Sequence, residues 1–316
     1  MSTYIMRKGV ARLADLADGP YAALASLKGV AGTIFYVDAG HASASDNNDG
    51  DDPNKPLSTI ATAYARCTTD VGDVIYVSGE RRYRATQLDI LKDGIRIIGG
   101  GWGTEWNQTA SSSAYVCRVM AKNVIISNIQ ISVNDQGGGI YIGDGSADYN
   151  AFGCKIENCF IRGDWFTEAG PGASVGKGIY VAGASLATIR NNHIWGWATG
   201  IDLRDGADRT SYGVHVYDNH ITYCKTYGIH VEGYGRSMMI TGNYISDQSS
   251  SYNMTYAIHL QPSVGGVMVA GNFIGANAPV YDSGDLNFWV GNYVRATEAA
   301  SEGLSVAMAA NDTTVT

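Results

Sequence analysis

A short block of alternating apolar residues that carries an asparagine recurs along this chain of 316 residues. Its clearest copies are spaced 20 to 29 residues apart and carry Asn192, Asn219, Asn243, Asn272 and Asn292. Weaker copies surround Asn128 and Asn158. A strand-sized block that returns at such intervals is typical of a solenoid, in which each coil buries its apolar face against its neighbours.

A second block alternates with the first and reads Gly-Ile-x-Val or a close variant, with a frayed last copy at 279–281. Both blocks have the period-2 alternation of a strand with one buried face. Three internal aliphatic ladders are therefore predicted: Ile140, Ile179, Ile201, Ile229 and Ile258; Ile142, Val181, Leu203, Val231 and Leu260; and Ile161, Ile194, Ile221, Ile245, Ile274 and Val294. The glycine that opens each copy is expected to supply a bend.

The recurring asparagines are predicted to lie where the chain turns between strands. Asparagine tolerates the left-handed conformation better than most residues. Its side-chain amide can also bond to the same residue one coil away, at the strand spacing of about 4.8 Å. Asn192, Asn219, Asn243, Asn272 and Asn292 are therefore expected to form a structural ladder.

The repeat divides the chain into three parts. Residues 34–295 form the solenoid, with a capping helix predicted near 58–67 and Ser58 as its N-cap. Residues 1–33 are expected to be helical and to pack on the first coil or to serve attachment and oligomerisation. Residues 296–316 are expected to form a helical cap and a tail, because an open solenoid end exposes core and strand edges.

Composition removes several classes of function. The net charge is −8 and no Lys/Arg cluster occurs, so nucleic-acid binding is not expected. No apolar run reaches transmembrane length, and the first residues lack the apolar core of a signal peptide. Membrane insertion is therefore not expected, and the chain is expected to be made in a cytoplasm. Five cysteines without CxxC spacing favour buried free thiols over disulfides or zinc.

One acidic loop raises the question of a metal. Asp49 and Asp51 in the loop 45–52 could bind calcium, but the spacing fails the EF-hand template, with Pro56 where the bidentate Glu belongs. A polar turn leading to the capping helix is the favoured interpretation. No metal site and no cofactor are predicted elsewhere.

The outward positions of the second block contain the only compact grouping of acid, base and cation. If its Ile positions point inward, one outward column is Tyr141, Tyr180, Asp202, His230, His259 and Tyr281, and the next is Arg204, Glu232, Gln261 and Asp282. The candidate catalytic residues are Asp202, Arg204, His230, Glu232 and His259, since neighbouring carboxylates could act as acid and base on a glycan. Tyr141, Tyr180 and Tyr281 could stack on sugar rings. The alternative, which we favour, is that these are polar and aromatic fillers of an outer wall.

A further outward column follows the asparagines: Phe160, His193, His220, Tyr244, Phe273 and Tyr293. It is expected to be an aromatic stack that stabilises the turn, or a face against a neighbouring chain.

With its two blocks and the entry sequence from Ile34 to Val77, the chain resembles the right-handed parallel β-helix superfamily, which includes pectate-lyase-like enzymes and phage tailspikes. The resemblance covers about residues 34–295 and implies an all-β solenoid, commonly a trimer. The Arg-x-Pro-x-x-Arg signature of pectate lyases, the polygalacturonase motifs and the Asp-Pro-His of alginate epimerases do not occur. The fold alone does not specify a function.

Three functions fit this resemblance. The favoured one is a bacteriophage virion structural protein: a rigid, homotrimeric spike or a capsid-surface decoration protein. It is expected to be held to other virion proteins through residues 1–33, and surface polysaccharide is a further expected contact. The second is a polysaccharide lyase, glycoside hydrolase, epimerase or depolymerising tailspike that uses the outward face. The third is a bacterial surface or binding protein, which would ordinarily need an export signal.

Overall fold

The computed structural model describes residues 32–79, 81–108, 114–133, 137–143, 151–163, 166–167, 170–171, 176–206, 210–246, 254–275 and 280–294. Within these ranges the chain consists almost entirely of short strands in two large parallel sheets. The predicted helices of residues 1–31 and the predicted C-terminal cap and tail lie outside the described residues.

Sheet A has 17 strands, and from β9 onward each coil contributes two of them. Its strands, numbered in chain order, are β1 (Ile34–Val37), β2 (Val74–Val77), β3 (Arg82–Ala85), β5 (Arg96–Gln108), β7 (Ile125–Val133), β9 (Lys155–Glu157), β10 (Phe160–Arg162), β14 (Thr188–Arg190), β15 (His193–Trp195), β17 (His215–Tyr217), β18 (His220–Thr222), β20 (Met239–Thr241), β21 (Tyr244–Ser246), β23 (Met268–Ala270), β24 (Phe273–Ile274), β26 (Phe288–Val290) and β27 (Tyr293–Val294).

Sheet B has eight strands, one from each coil. They are β4 (Leu88–Ile90), β6 (Tyr115–Val119), β8 (Gly138–Ile142), β13 (Lys177–Ala182), β16 (Thr199–Arg204), β19 (Tyr227–Val231), β22 (Tyr256–Leu260) and β25 (Val280–Asp282). A two-stranded antiparallel hairpin, β11 (Phe166–Thr167) and β12 (Gly170–Pro171), lies apart from both sheets. This is a right-handed parallel β-helix, as the sequence predicts.

The three predicted aliphatic ladders form the core. Ile179, for example, pairs with Ile140 on one side and Ile201 on the other. Every ladder residue is fully buried except Val294 in the last described coil, which is partly buried. A fourth ladder, which the sequence analysis did not separate from the third, consists of Ile126, Ile156, Ile189, Val216, Ile240 and Val269.

One short helix packs against the first two strands of the described solenoid. Helix α1 (Ile60–Arg66) buries Ile60 and Ala63. The prediction of Ser58 as N-cap is wrong by one residue: Thr59 caps the helix by accepting from the backbone N–H of Thr62 at 3.2 Å. The Asp46 carboxylate accepts from the backbone N–H groups of both Ser58 and Thr59, which holds Ser58 outside the helix.

A chain of hydrogen bonds links the five recurring asparagines from coil to coil. The backbone N–H and side-chain Nδ2 of Asn192 both donate to Oδ1 of Asn219, at 3.1 and 3.0 Å. The same pair of bonds joins Asn219 to Asn243, Asn243 to Asn272 and Asn272 to Asn292. Each Nδ2 also donates to a backbone carbonyl of an earlier coil, that of Ile156 for Asn192. The side chains from Asn192 to Asn272 therefore each tie three coils together, and Asn292 ties two.

The left-handed residue of this corner is not the ladder asparagine, which corrects the sequence prediction. It is the residue before it: Asn191, Asp218, Gly242, Gly271 or Gly291, with φ between 53° and 64°. The ladder asparagine has to align its own N–H with the next amide, so the bend falls one residue earlier. In the weaker copies Asn128 and Asn158 take the bend, and Cys159 N–H donates to Asn192 Oδ1.

The glycines that open the second block lie within extended strands, so the expected bend there is also wrong. A Cβ added to Gly139, Gly178, Gly200 or Gly228 would lie 2.3 to 2.7 Å from a carbonyl oxygen of the next coil. Close approach between coils explains these glycines.

A second corner, shortly before the chain enters a strand of sheet A, contains left-handed residues at one shared position in nine described coils. Their φ values lie between 53° and 73°: Asp70, Gly94, Asn123, Gly153, Leu186, Gly213, Ser237, Gly266 and Leu286. Here the backbone N–H of one coil donates to a carbonyl of the next, as from Leu186 to Tyr212 and from Gly213 to Arg236.

Candidate functional site

The outer face of sheet B brings most of the predicted site residues together. The first outward column is in register along five neighbouring pairs of strands: Tyr141, Tyr180, Asp202, His230, His259 and Tyr281. In the second column, Arg204 lies opposite Ala182. The backbone N–H groups of Glu232 and Gln261 donate to carbonyls of the preceding coil, so each extends its strand pairing by one hydrogen bond. Asp282 does not belong to this column, because it pairs with Leu260. Its carboxylate accepts from Trp289 Nε1 and Asn287 Nδ2 instead.

Asp202 is the centre of a charged network on this face. Lys177 Nζ lies 2.7 Å and Arg204 Nε 2.9 Å from Asp202 Oδ2. His230 Nδ1 lies 2.8 Å from Oδ1. Because an ionised carboxylate only accepts, His230 carries its proton on Nδ1 toward Asp202, and its Nε2 can accept from Gln261 Nε2 at 3.2 Å. Lys177, Arg204 and His230 therefore all contact the one buried carboxylate of Asp202.

Burial and pairing act in opposite directions on the pKa of Asp202. Burial raises it, but the hydrogen bond from His230 and the contacts with Lys177 and Arg204 outweigh burial and lower the pKa to about 2. The residue is fully buried, as is His230 at 1% exposure. Asp202 is therefore a fixed anion without access to solvent, and a general acid or base needs access to its substrate.

Glu232 is the candidate carboxylate that reaches the surface. Its side chain is 36% exposed, and its Oε2 lies 2.7 Å from Nη1 of Arg204, whose side chain is 34% exposed. Arg204 thus bridges a buried carboxylate and a surface one. Acid–base cleavage of a glycan ordinarily uses two carboxyl groups that flank the bond. Of the two candidates here, only Glu232 is accessible.

Three tyrosines form a cluster on the N-terminal side of this network. Tyr141 and Tyr180 have ring centroids 4.8 Å apart, and Tyr115 lies 5.2 Å from Tyr141. Lys177 Nζ lies 3.6 Å from the centroid of the Tyr180 ring, so the same ammonium contacts an aromatic face and the Asp202 carboxylate. Burial raises the pKa of Tyr180 and of Tyr115, so both keep their protons.

A stack of tyrosine and histidine rings lies on the C-terminal side. Tyr227 lies 4.4 Å from His230 and 5.0 Å from His259, nearly parallel to both. Tyr256 is likewise parallel to His259 at 5.0 Å. Burial is the main cause of the lowered pKa of His259. This Tyr–His stack consists of Tyr227, His230, Tyr256, His259 and Tyr281.

Sequence reasoning missed Tyr115, Tyr227 and Tyr256. All lie one outward position before the predicted column, as Tyr227 does before His230. The signal was present, because the residue before the Gly or Ala of the second block is Lys177, Thr199, Tyr227 or Tyr256. Extending the strand by one residue would have found the column.

Ring orientation limits where a sugar could stack. Within the Tyr–His stack the rings cover one another's faces, so His230 and His259 offer little more than edges. Tyr281 lies at the end of the stack, tilted 39° from His259 and 44% exposed. Among the three tyrosines proposed from the sequence, Tyr281 is the most accessible ring.

The outer column beside the asparagines is also stacked. His193 and His220 are parallel with centroids 4.6 Å apart, Phe160 lies 5.0 Å from His193, and Tyr244 and Phe273 are parallel at 4.9 Å. Trp102 extends this stack beyond Phe160. Burial lowers the pKa of His193 and of His220.

The acidic loop before the capping helix has a role without a metal. Asp46 fixes the start of α1, and Arg66 Nη2 donates to the Asp46 carbonyl at 2.8 Å. No group of three or more His, Cys, Asp or Glu side chains is placed to hold an ion in the described ranges. Calcium at Asp49 and Asp51 stays a prediction. The five cysteines are free and buried, as predicted.

Comparisons with known proteins agree with the fold. The family model described as right handed beta helix region matches residues 177–312. A search of curated proteins found no match. No helix in the described ranges is long and apolar enough to cross a membrane.

Solved structures with the same architecture include enzymes and a phage protein. A GH136 lacto-N-biosidase from Eubacterium ramulus matches 86% of this chain with a TM-score of 0.58 and 12% identity, and this chain spans 64% of it, less than two thirds. The pectate lyase Pel9A has a TM-score of 0.52 and 14% identity over 86% of this chain and 80% of the lyase. The Dettilon tailspike protein has a TM-score of 0.46 and 13% identity, with 87% and 68% of the two chains covered. At these identities the likeness to the two enzymes shows the fold alone.

Proposed function

We propose that the chain is a phage virion structural protein, a rigid β-helix spike or capsid-surface decoration protein. It would act as a homotrimer bound to other virion proteins through residues 1–33. The observation that carries this proposal is the closed network around Asp202. The acidic, basic and cationic side chains that could serve catalysis contact one another instead of an open site. Asp202 and His230 in particular are buried and paired.

The ladders support a mechanical role. Asparagine amides and stacked rings run continuously from coil to coil on the outside of an aliphatic core. Such ladders stiffen a solenoid, since each coil is held by both neighbours. A stiff rod with few mobile groups on its sheets suits a particle surface.

Contact with a surface polysaccharide is part of the proposal. Tyr281 offers an exposed ring, and Glu232 and Arg204 offer polar groups on the same face. Aromatic rings beside hydrogen-bonding groups are a common way to hold a glycan. Binding without cleavage would tether a particle to a cell surface.

The test locates the chain in purified phage particles and assays a panel of bacterial surface polysaccharides for cleavage. We expect the chain in the particle, and no products. Glycan binding, if measured, should weaken on Tyr281→Ala and persist on Asp202→Asn in folded protein. Absence from particles would overturn the proposal.

A polysaccharide-acting enzyme is the second candidate, and the partly exposed Glu232 beside Arg204 is the observation that favours it. Cleavage that is abolished by Glu232→Gln, in a variant with unchanged folding, would establish the enzyme and displace the structural role.

A further inference from the structure

The outer wall of sheet A changes character along its length. Three outward columns run side by side across it, and each keeps its register from coil to coil. In the three earlier coils the columns hold Lys155, Thr188 and His215; Glu157, Arg190 and Tyr217; and Phe160, His193 and His220. In the last three described coils they hold Met239, Met268 and Phe288; Thr241, Ala270 and Val290; and Tyr244, Phe273 and Tyr293. We call these last nine residues the C-terminal patch.

The first two of the earlier coils carry the charge of an ordinary solvated wall. Arg190 Nη2 lies 2.8 Å from Glu157 Oε2, and the Arg190 side chain is 39% exposed. The C-terminal patch contains no charged residue, and its only polar member without a ring is Thr241. The formal charges fall from two in the coil of Lys155 and Glu157 to one in the coil of Arg190, and the coil of His215 carries only histidine and tyrosine in these columns. From Met239 onward the columns lack histidine as well.

The patch is exposed in the chain taken alone. Phe288 is 66%, Val290 60%, Tyr293 58% and Tyr244 40% exposed. An aromatic side chain presents about 150–250 Å², so these four residues leave on the order of 400–500 Å² of largely apolar surface uncovered. A patch of this size on a soluble protein marks an interaction surface more often than an accident.

We propose that this patch is the surface through which copies of the chain bind one another. The inference deepens the homo-oligomeric spike proposed above and rests on it, by assigning the contact to β20, β21, β23, β24, β26 and β27. A stable interface needs about 800 Å² per partner, of which the centre is apolar and the rim polar. The patch supplies the apolar centre of such an interface.

The absence of charge favours a second copy over a charged partner. At a two-fold interface, or next to a three-fold axis, each patch meets copies of itself, so any charge in it would face a like charge. A surface without charge avoids that cost. With the axis passing through the middle of the patch, Ala270, in the central column and central coil of the nine, would lie nearest its symmetry mate.

Cysteine cross-linking tests this placement directly. All five native cysteines are buried, so an added surface cysteine is the reactive one among the described residues. We expect Ala270→Cys in the full chain to form disulfide-linked dimers under mild oxidation at micromolar concentration. Tyr217→Cys, two coils earlier in the same column, is the matched control and should stay largely uncross-linked.

A charge substitution gives a second, independent readout. Phe288→Asp should shift the mass measured by light scattering from oligomer to monomer, with the far-UV circular dichroism unchanged, because Phe288 is mostly exposed. Thr188→Asp, the equivalent column position in an earlier coil, should leave the mass unchanged.

Two outcomes would overturn the inference, and a third would refute only the proposed function. An oligomer that survives Phe288→Asp but is lost on deletion of residues 1–31 would place the contact in the N-terminal segment and leave the virion role intact. A monomeric full chain that oligomerises once residues 295–316 are deleted would show that the chain covers its own patch. Absence of the chain from phage particles, with cross-linking through Ala270→Cys intact, would refute the proposed function alone.

Discussion

At the scale of single residues, the asparagine corner and the Asp202 network follow the same rule. Each buries polar groups and satisfies them through partners on neighbouring coils. Asn243 is 1% exposed and bonds to Asn219, Asn272 and the Val216 carbonyl. Removing one such partner leaves others buried without a bond, which costs more than the lost bond itself.

Asn243→Ala should therefore lower the free energy of unfolding by about 3 kcal/mol, since the amide groups of Asn219 and the Val216 carbonyl lose their partner. Chemical denaturation measures this. Asn54→Ala, at an exposed loop position, should change it by less than about 0.5 kcal/mol. An equal effect of the two substitutions would contradict a structural ladder.

Asp202→Asn should destabilise the protein near pH 7 by about 3 kcal/mol, because Lys177, Arg204 and His230 lose their common anion. The pKa of Asp202 lies at about 2 in the folded chain, below its ordinary 3.8. Its stabilisation is thus complete above about pH 4 and is lost as the pH falls through about 2. Denaturation at pH 7 and pH 2 should show the gap between wild type and variant closing.

The control for that prediction lies in the same column. Asp89→Asn breaks an ion pair with Arg118 whose side chains are about one third exposed, so it should cost less than about 1 kcal/mol at pH 7. A cost as large as that of Asp202→Asn would mean that burial of the network does not matter.

At the scale of strands, the sequence predicts the inward-facing residues well and the outward chemistry poorly. Ile179 and Ile201 are recognisable because the alternation of one strand fixes their direction. The sequence prediction places the left-handed bend one residue too late, because Asn191 and Asn192 can both adopt that conformation. Gly242, Gly271 and Gly291, each just before a ladder asparagine, indicate the correct position. Whether Asp202 is exposed depends on Lys177 of the previous coil, and periodicity does not report side-chain pairing between coils.

The aromatic column beside the asparagines should make the protein sensitive to acid. Burial lowers the pKa of His193 and of His220 in the folded chain below the ordinary 6.5. Unfolding then takes up protons, so stability is full above about pH 6.5 and decreases as the pH falls below it. The melting temperature should fall between pH 7 and pH 5, and it should fall less in the double variant His193→Phe, His220→Phe. An equal fall in both proteins would assign the sensitivity elsewhere.

At the scale of the whole molecule, a solenoid has no centre, and each coil is as stable as its contacts with two neighbours. The last described coil has only one such neighbour in the described chain, β25, β26 and β27 each pairing on a single side. Its core residues Trp289 and Val294 are only partly buried, whereas Ile201 and Ile229 are fully buried.

Hydrogen exchange should therefore show a gradient. In dilute protein, amides of residues 280–294 are expected to exchange at least 10-fold faster than those of residues 177–231. Opening an end coil breaks half as many contacts as opening an inner one, and each factor of ten in exchange rate corresponds to about 1.4 kcal/mol of opening free energy. Mass spectrometry of peptides from the two regions measures it. Uniform protection along the described coils would argue for a single cooperative unit.

The second corner has a consequence for how such a chain can change its length over evolution. Nine described coils approach sheet A through a left-handed corner residue, whether glycine, asparagine, aspartate, serine or leucine, and most of these residues donate a backbone bond to the same corner of the next coil. The stretch between two successive corner residues is then a complete cassette with matching ends. Duplicating or excising one whole cassette preserves every ladder, whereas an insertion of a few residues inside a strand moves its side chains to the wrong face. Lineages of this protein are therefore expected to differ by entire coils and by loops.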